Sequence, residues 1–256
     1  MSIGVVIVTH NNEQTILPCL KSVEAQGISD ICVVDSASMD TTGAVLRQEM
    51  YQYIALPENK GFSYAANKGV PEVAGDYILF LNPDAELLPG AINAMQSGIQ
   101  LHRDARVVGG LLVDARGRIQ QDAYGDEIHL MSMFTRHMQT KRQVRDISPA
   151  AWVSGGSLMI QRDTFQKIGG FDEQFFLYWE DVDLCRRVRS LGYGVYVVPN
   201  ARISHLRGVS SKDRRRKTQL YDASANRYFQ KYYSPLICYF QLIARKLYRL
   251  LRPLAR

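Results

Sequence analysis

Short, apolar, β-branched runs alternate with stretches of helical period through the first hundred residues. This alternation restricts the chain more than any other feature. Residues 3–8, 31–34, 53–56 and 77–81 read as strands, and the first two and the fourth are apolar enough to be buried on both faces. Between them, residues 13–26 carry Ile16, Leu20 and Val23 at helical spacing and stop at Gly27. Residues 41–50 follow Asp40 as a helix N-cap, and residues 64–73 are helical despite Gly69. Pro89 starts a further helix to about His102. Strands alternating with helices imply βαβ units, hence a mostly parallel sheet with right-handed crossovers. Ligands of such sheets bind beyond the carboxyl ends of the strands. Thr9-His10-Asn11, Asp35-Ser36 and Asn82-Pro83-Asp84 follow strands one, two and four, so a site is expected there.

The second half is less regular. Residues 107–113, 158–160 and 194–198 read as strands, and 162–168 and 182–191 as helices. Residues 114–150 are polar and resist assignment. Charge then divides the chain. Residues 1–205 hold 18 Lys/Arg and 23 Asp/Glu, a net of −5, whereas residues 206–256 hold 13 and 2, a net of +11. The tail contains a basic cluster at 212–217 and a helix start at Ser234-Pro235. Beyond it, Leu236, Phe240, Ile243, Ala244, Leu247, Leu250, Leu251 and Leu254 share one helical face, and Gln241, Arg245, Lys246, Arg249 and Arg252 share the other. Such a helix suits an anionic bilayer surface, with packing on the body or on a second copy in a homodimer as the rival use. Nothing supports a nucleic-acid partner. No apolar run reaches the roughly 20 residues of a membrane span. Residues 1–8 carry no basic, cleavable leader pattern, and Cys19, Cys32, Cys185 and Cys238 form no C-x-x-C. The expectation is a cytoplasmic protein, peripheral on the inner membrane face, with reduced thiols.

Neither a P-loop nor a G-x-G-x-x-G fingerprint is present. What stands at the sheet edge is a set of isolated carboxylates. Aspartates beside phosphates repel them unless a cation lies between, so the residues read as a diphosphate bridged by Mg²⁺ or Mn²⁺.

Six segments in order carry a resemblance. They are Val-Val-Ile-Val-Thr-His-Asn-Asn (5–12), Val-Val-Asp-Ser-Ala-Ser-Met-Asp (33–40), Glu-Asn-Lys-Gly-Phe-Ser-Tyr-Ala-Ala-Asn-Lys-Gly (58–69) and Leu-Asn-Pro-Asp-Ala-Glu (81–86). Val-Ser-Gly-Gly-Ser-Leu-Met-Ile (153–160) and the run 169–187, from Gly169-Gly170-Phe171 to Arg187, complete them. Over roughly residues 3–207 the chain resembles the inverting family 2 glycosyltransferases of GT-A fold, in particular bacterial rhamnosyltransferases of surface polysaccharide synthesis. The resemblance implies an α/β GT-A domain over 1–205, with a nucleotide-binding half (1–105), an acceptor half (106–205) and the basic helical tail 206–256. It implies a nucleoside-diphosphate sugar donor, dTDP-rhamnose foremost, and a polyprenyl-diphosphate-linked saccharide acceptor.

The same resemblance distributes roles. Asp35 accepts the imide N–H of a pyrimidine, with Thr9 and Asn11 lining the pocket through backbone, Gly61 admitting close approach and Lys60 nearby. Read alone, Asp35-Ser36 and Asp40 also suit a loop cap. Asn82-Pro83-Asp84 stands where relatives carry Asp-x-Asp, so Asp84 is left as the metal ligand, joined by His205. Asn-Pro by itself is a turn signal. Asp181 is the base that activates the acceptor hydroxyl, and Glu180 raises its pKa by like-charge repulsion or touches the acceptor. The bland alternative for these acids is decoration of a helix N-terminus. Trp179, and with it Tyr178, faces sugar. Trp152, Ser154 and Gly155 contact sugar or acceptor, or form a strand-entry turn with a core tryptophan. Two rivals remain at this level. One is a nucleotidyltransferase, which would need a basic Gly-rich loop that residues 9–20 lack. The other is a sugar-nucleotide-binding, membrane-associated module without catalysis, which Asn82 favours.

Overall fold

The computed structural model describes residues 1–120, 123–128, 144–205 and 214–251, with side chains described for all of these except 214 and 246–251. The chain runs β1 (Ile3–Thr9), α1 (Ile16–Glu24), β2 (Ile31–Asp35), α2 (Thr42–Gln48), β3 (Tyr53–Ala55), α3 (Phe62–Gly69), β4 (Tyr77–Leu81), β5 (Ala85–Leu87), α4 (Ala91–Leu101) and β6 (Ala105–Val113). It continues with β7 (Tyr124–Gly125), β8 (Ser148–Pro149), β9 (Trp152–Val153), β10 (Ser157–Gln161), α5 (Arg162–Lys167), α6 (Glu180–Ser190), β11 (Gly194–His205), α7 (Arg214–Tyr232) and α8 (Pro235–Leu251).

Eight strands form one sheet in the order β3-β2-β1-β4-β10-β6-β11-β5, β8 adds to β11, and β7 pairs separately with β9. The apolar runs do what their continuity requires. Val5, Val6 and Ile7 of β1, Val33 and Val34 of β2 and Ile78–Leu81 of β4 are buried, because helices cover both sheet faces. From β3 to β4 the sheet is parallel, as are β6 and β11, whereas β10 runs antiparallel between β4 and β6. The parallel expectation therefore holds on both sides of β10, and β10 and the short edge strands β5 and β8 depart from it. The reversal matters, because it brings the start of β10 to the carboxyl end of β4, with Ser157 opposite Leu81.

The far edge curls back. β5 begins four residues after β4 ends, a reach of at most about 14 Å, yet it pairs with β11 and so lies four strands from β4 in the sheet order, where a flat sheet would need roughly 19 Å. The curl sets His205 opposite Ala85 and hence beside Asp84.

Two local expectations are corrected. Asp40 caps the helix start one residue early: its carboxylate accepts the Thr42 N–H (2.9 Å), and α2 begins at Thr42. Pro89 lies outside α4, which starts at Ala91 after Gly90 turns through φ 81°. Pro89 thus shapes the entry turn rather than the first helical turn.

The basic tail is in large part a packed element. Ala225, Tyr228 and Phe229 of α7 are buried with Phe175, Trp179 and Val182 in a second apolar cluster. Lys231 reaches Asp172 (2.6 Å) and Asp183 (2.7 Å), and the Arg186 guanidinium lies 4.1 Å from the Tyr232 ring centroid. Residues 212 and 213 of the basic cluster, and Arg252 and Leu254 of the two helical faces, fall outside the described residues. Lys246, Leu247, Arg249, Leu250 and Leu251 lie outside the described side chains. Among the described residues, no helix is long and apolar enough to cross a membrane.

Truncating Phe229 to alanine empties a fully buried site. Phe229→Ala is expected to lower unfolding free energy by about 3–5 kcal/mol, read from urea denaturation. A loss below about 1 kcal/mol would show that α7 does not share the body's core.

Candidate active site

The carboxyl ends of β1, β2 and β4 lie side by side, since Thr9 pairs with Asp35 and Ile7 with Leu81. The loops leaving β1 and β2 are tied to each other. His10 Nδ1 meets the Ser36 carbonyl (2.8 Å), Asn11 N–H donates to Ser38 Oγ (2.9 Å), and Met39 N–H donates to Asn11 Oδ1 (2.8 Å). Asn11 adopts φ 57°, a left-handed conformation that asparagine tolerates. Asp35 is buried at this edge, and its Oδ1 accepts the Ser38 N–H (3.0 Å). The loop-cap reading of Asp35 is thus realised in part. Thr9 is fully buried, and its hydroxyl donates to Asn12 Oδ1 (3.2 Å).

A chain of contacts then runs round the edge. Ser36 Oγ donates to Asn59 Oδ1, which also accepts the Gly61 N–H (2.9 Å), and Phe62 N–H donates to the Phe176 carbonyl (2.7 Å). Gly61 has φ 95°, and a Cβ there would lie 2.4 Å from the Phe176 carbonyl oxygen. Its close neighbour is therefore the segment that leads into α6. Lys60 stands apart from this ring of contacts, exposed and paired with Glu58 (2.9 Å).

Phe176 leads to the acidic pair. Tyr178 and Trp179 both adopt φ 69°, two successive non-glycine residues in the left-handed region, and α6 opens directly after them. Asp181 Oδ2 accepts the Gly155 N–H (2.9 Å), and its Oδ1 accepts the Val182 N–H (2.8 Å). Asn82 N–H donates to the Gly156 carbonyl (3.2 Å), and a Cβ on Gly156 would sit 2.9 Å from Asn82 Nδ2. The double glycine thus lets the Asp181 segment and the Asn82 loop meet.

Asp84 and His205 form the third group. His205 Nε2 lies 3.2 Å from Asp84 Oδ1 and 3.4 Å from Asn82 Nδ2. Gln120, unmarked in the sequence reading, decides the ring's tautomer. Its Nε2 donates to the His205 carbonyl (2.8 Å), which leaves Oε1 facing His205 Nδ1 (2.9 Å). Nδ1 is then the donor, which leaves Nε2 as the ring nitrogen that faces Asp84. A carboxylate oxygen and an imidazole nitrogen are a donor set that fits a divalent cation, manganese better than magnesium. Among the described residues no group of three or more His, Cys, Asp or Glu side chains could hold a metal ion. A cation here would complete its shell from ligand oxygens and water.

Two expectations change. Trp179 is buried against Tyr221, Tyr228 and Phe229, with ring centroids 5.1–6.1 Å away, so α7 occupies the face assigned to sugar. Trp152 is half-buried with its ring packed on Gly125, where a Cβ would lie 2.5 Å from the indole. It reads as the strand-entry tryptophan, while Ser154 stays in the turn through its N–H to the Ala123 carbonyl (2.9 Å). Burial, and after it the charge of Asp181, pushes the Glu180 carboxyl well above the usual range. Glu180 Oε2 has no hydrogen-bond partner among the described residues.

The profile described as "Glycosyl transferase family 2" matches residues 4–169, and one described as "N-terminal domain of galactosyltransferase" matches 136–210. The N-acetylglucosaminyl-diphospho-decaprenol L-rhamnosyltransferase of Mycobacterium tuberculosis is 30% identical over 201 residues, 68% of this chain, which spans 66% of that relative's length. The dTDP-rhamnosyl transferase RfbF of Shigella flexneri is 24% identical over 221 residues, 82% of this chain and 71% of its own. Among solved structures, the mannosyltransferase PcManGT of Pyrobaculum calidifontis, in complex with GDP-Man and Mn²⁺, superposes with a TM-score of 0.64. It is 17% identical and covers 99% of this chain and 71% of its own. The likeness establishes the GT-A fold.

The raised Glu180 carboxyl makes stability depend on pH. Between the ordinary glutamate pKa and the raised native value, the folded chain holds a proton that the unfolded chain has lost, so stability falls as pH rises through that window. Glu180→Gln removes this dependence. Unfolding free energies at pH 5 and pH 8 are expected to show the variant gaining on the unmodified chain as pH rises. An equal difference at both pH values would contradict the assignment.

Proposed function

The chain belongs to glycosyl transferase family 2, and from that premise we propose that it is an inverting rhamnosyltransferase. It takes dTDP-rhamnose as donor and a polyprenyl-diphosphate-linked saccharide as acceptor, in surface polysaccharide synthesis at the cytoplasmic membrane face. The observation that carries the reading is the ring of contacts joining Asp35, Asp84–His205 and Asp181 at one sheet edge.

Each group has one task. Asp35 accepts the imide N–H of the thymine. Asp181 takes the proton of the acceptor hydroxyl while that oxygen bonds the anomeric carbon and the bond to the departing diphosphate breaks on the opposite face. The Gly155 and Val182 N–H groups hold its carboxylate in one orientation. Glu180 lies buried beside it, with its carboxyl pushed well above the usual range by burial and by the Asp181 charge. Asp84 and His205 would hold Mg²⁺ or Mn²⁺, which when bound supplies positive charge to the leaving diphosphate. Asn82, with no charge of its own, leaves the cation site one carboxylate poorer than Asp-x-Asp. The names of the mycobacterial and Shigella relatives support rhamnose, the thymidine donor and the lipid-linked acceptor.

The assay uses purified full-length protein, dTDP-rhamnose and polyprenyl-diphosphate-linked N-acetylglucosamine, with Mn²⁺ or with EDTA, and product read by mass. Asp181→Asn is expected to lower turnover by about 10²–10⁴-fold, the range of a general base, and EDTA to suppress the unmodified enzyme. Turnover in Asp181→Asn within about twofold of the unmodified enzyme would remove Asp181 as the base. Transfer from UDP- or GDP-sugars in preference to the thymidine donor would overturn the donor assignment.

A further inference from the structure

α8 is amphipathic, and the structure separates the two uses that the sequence pattern leaves open. Of its polar residues, Gln241 and Arg245 point inward and are 1% and 9% exposed. Gln241 Nε2 donates to Asn226 Oδ1 (3.2 Å), and Arg245 pairs with Asp222 (3.2 Å) and donates to Asn226 on α7. Its large apolar residues point outward. Leu236, Tyr239, Phe240 and Ile243, at i, i+3, i+4 and i+7, are 64%, 61%, 48% and 36% exposed. Four large apolar side chains on successive turns form a continuous stripe, of the kind that marks an interaction surface.

Charge identifies the occupant. Residues 206–256 carry a net of +11, and Arg215 and Arg216 at the start of α7 are exposed. A second copy docked on the stripe would bring two such segments together. An anionic lipid surface neutralises them and takes the apolar stripe into its acyl boundary. We propose that the outward stripe of α8 seats the protein on a bilayer containing anionic phospholipid, with α7 clamping α8 through Arg245 and Gln241. Gln241 and Arg245, which the sequence pattern would turn to the headgroups, are held by protein contacts instead. The lipid-facing helix is then continuous in structure with the acidic pair, because Ser224 of α7 donates to the Leu177 carbonyl (2.8 Å) two residues before Trp179.

This inference rests on the proposed function only for the acceptor's location. Docking needs neither donor nor acceptor, so the vesicle and transfer assays fail independently. The full-length protein is sedimented with extruded vesicles of phosphatidylglycerol and phosphatidylcholine, and with phosphatidylcholine alone. Expected is partition into the anionic vesicles that salt weakens. The triple variant Leu236→Ser, Phe240→Ser, Ile243→Ser should weaken it tenfold or more with an unchanged melting temperature, since those side chains are exposed. Arg215→Ala with Arg216→Ala should weaken it roughly fivefold per residue, the effect of about one basic group near an anionic surface. Unaltered partition of the triple serine variant would overturn the proposal. So would a homodimer, seen by sedimentation equilibrium, that the same three substitutions dissociate.

Discussion

The burial of Trp179 beneath α7 is the contact on which the site depends. Tyr178 and Trp179 hold left-handed conformations that cost of order 1–3 kcal/mol each, and such a turn persists only where its surroundings fix it. Tyr221, Tyr228 and Phe229 surround the indole, and Ser224 ties the preceding carbonyl. Out of this turn α6 starts at Glu180, with three acids in its first turn where the helix dipole favours negative charge. The helix-decoration account of these acids and the chemical one are therefore compatible. The dipole explains why acids are tolerated there, and the Gly155 N–H explains why Asp181 faces the sheet edge.

Electrostatics divides the edge into unlike parts. Neighbouring carboxyls cannot both hold full charge in a buried setting. Glu180 is the one that gives way, because it lies within the core and Asp181 is only half-buried. Asp84 instead faces an imidazole whose tautomer is set from behind by Gln120. Asp35 accepts the Ser38 N–H in the loop after β2. Carboxylates that look equivalent in the sequence thus meet a helix start, a histidine and a loop.

Much of this was legible from residues alone, for physical reasons. Continuous apolar runs cannot hide: Ile3–Thr9, Ile31–Asp35 and Tyr77–Leu81 lie within a residue of where the sequence reading set them. The polar ends of those strands came with them, and so did half of the site. β5 is three residues long and exists because β11 curls to meet it, which no local pattern records. The apolar run that marks β11 in the sequence ends at Val198. The strand instead shifts register between Val198 and Arg202 and carries on to His205. Gln120 sits in a polar stretch without periodicity, so its role had no sequence signature. α7 did have one: Tyr221, Ala225, Tyr228, Phe229 and Tyr232 repeat at helical spacing, a stripe masked by the surrounding basic residues. That omission made Trp179 look available to a sugar. For α8 the amphipathic pattern is legible in the sequence and its orientation is not, because the Asp222 and Asn226 partners on α7 help decide which face turns inward.

The central claim is that α7 holds the turn that delivers Asp181. Amide hydrogen exchange reads this without substrate. The Phe62 N–H is bonded to the Phe176 carbonyl, and the Asp183 N–H to the Trp179 carbonyl. In Tyr228→Ala both should exchange at least tenfold faster than in the unmodified protein, while amides of the β1–β2 ladder keep their rates. Unchanged exchange at Phe62 and Asp183, or an equal rise across the whole sheet, would contradict the account.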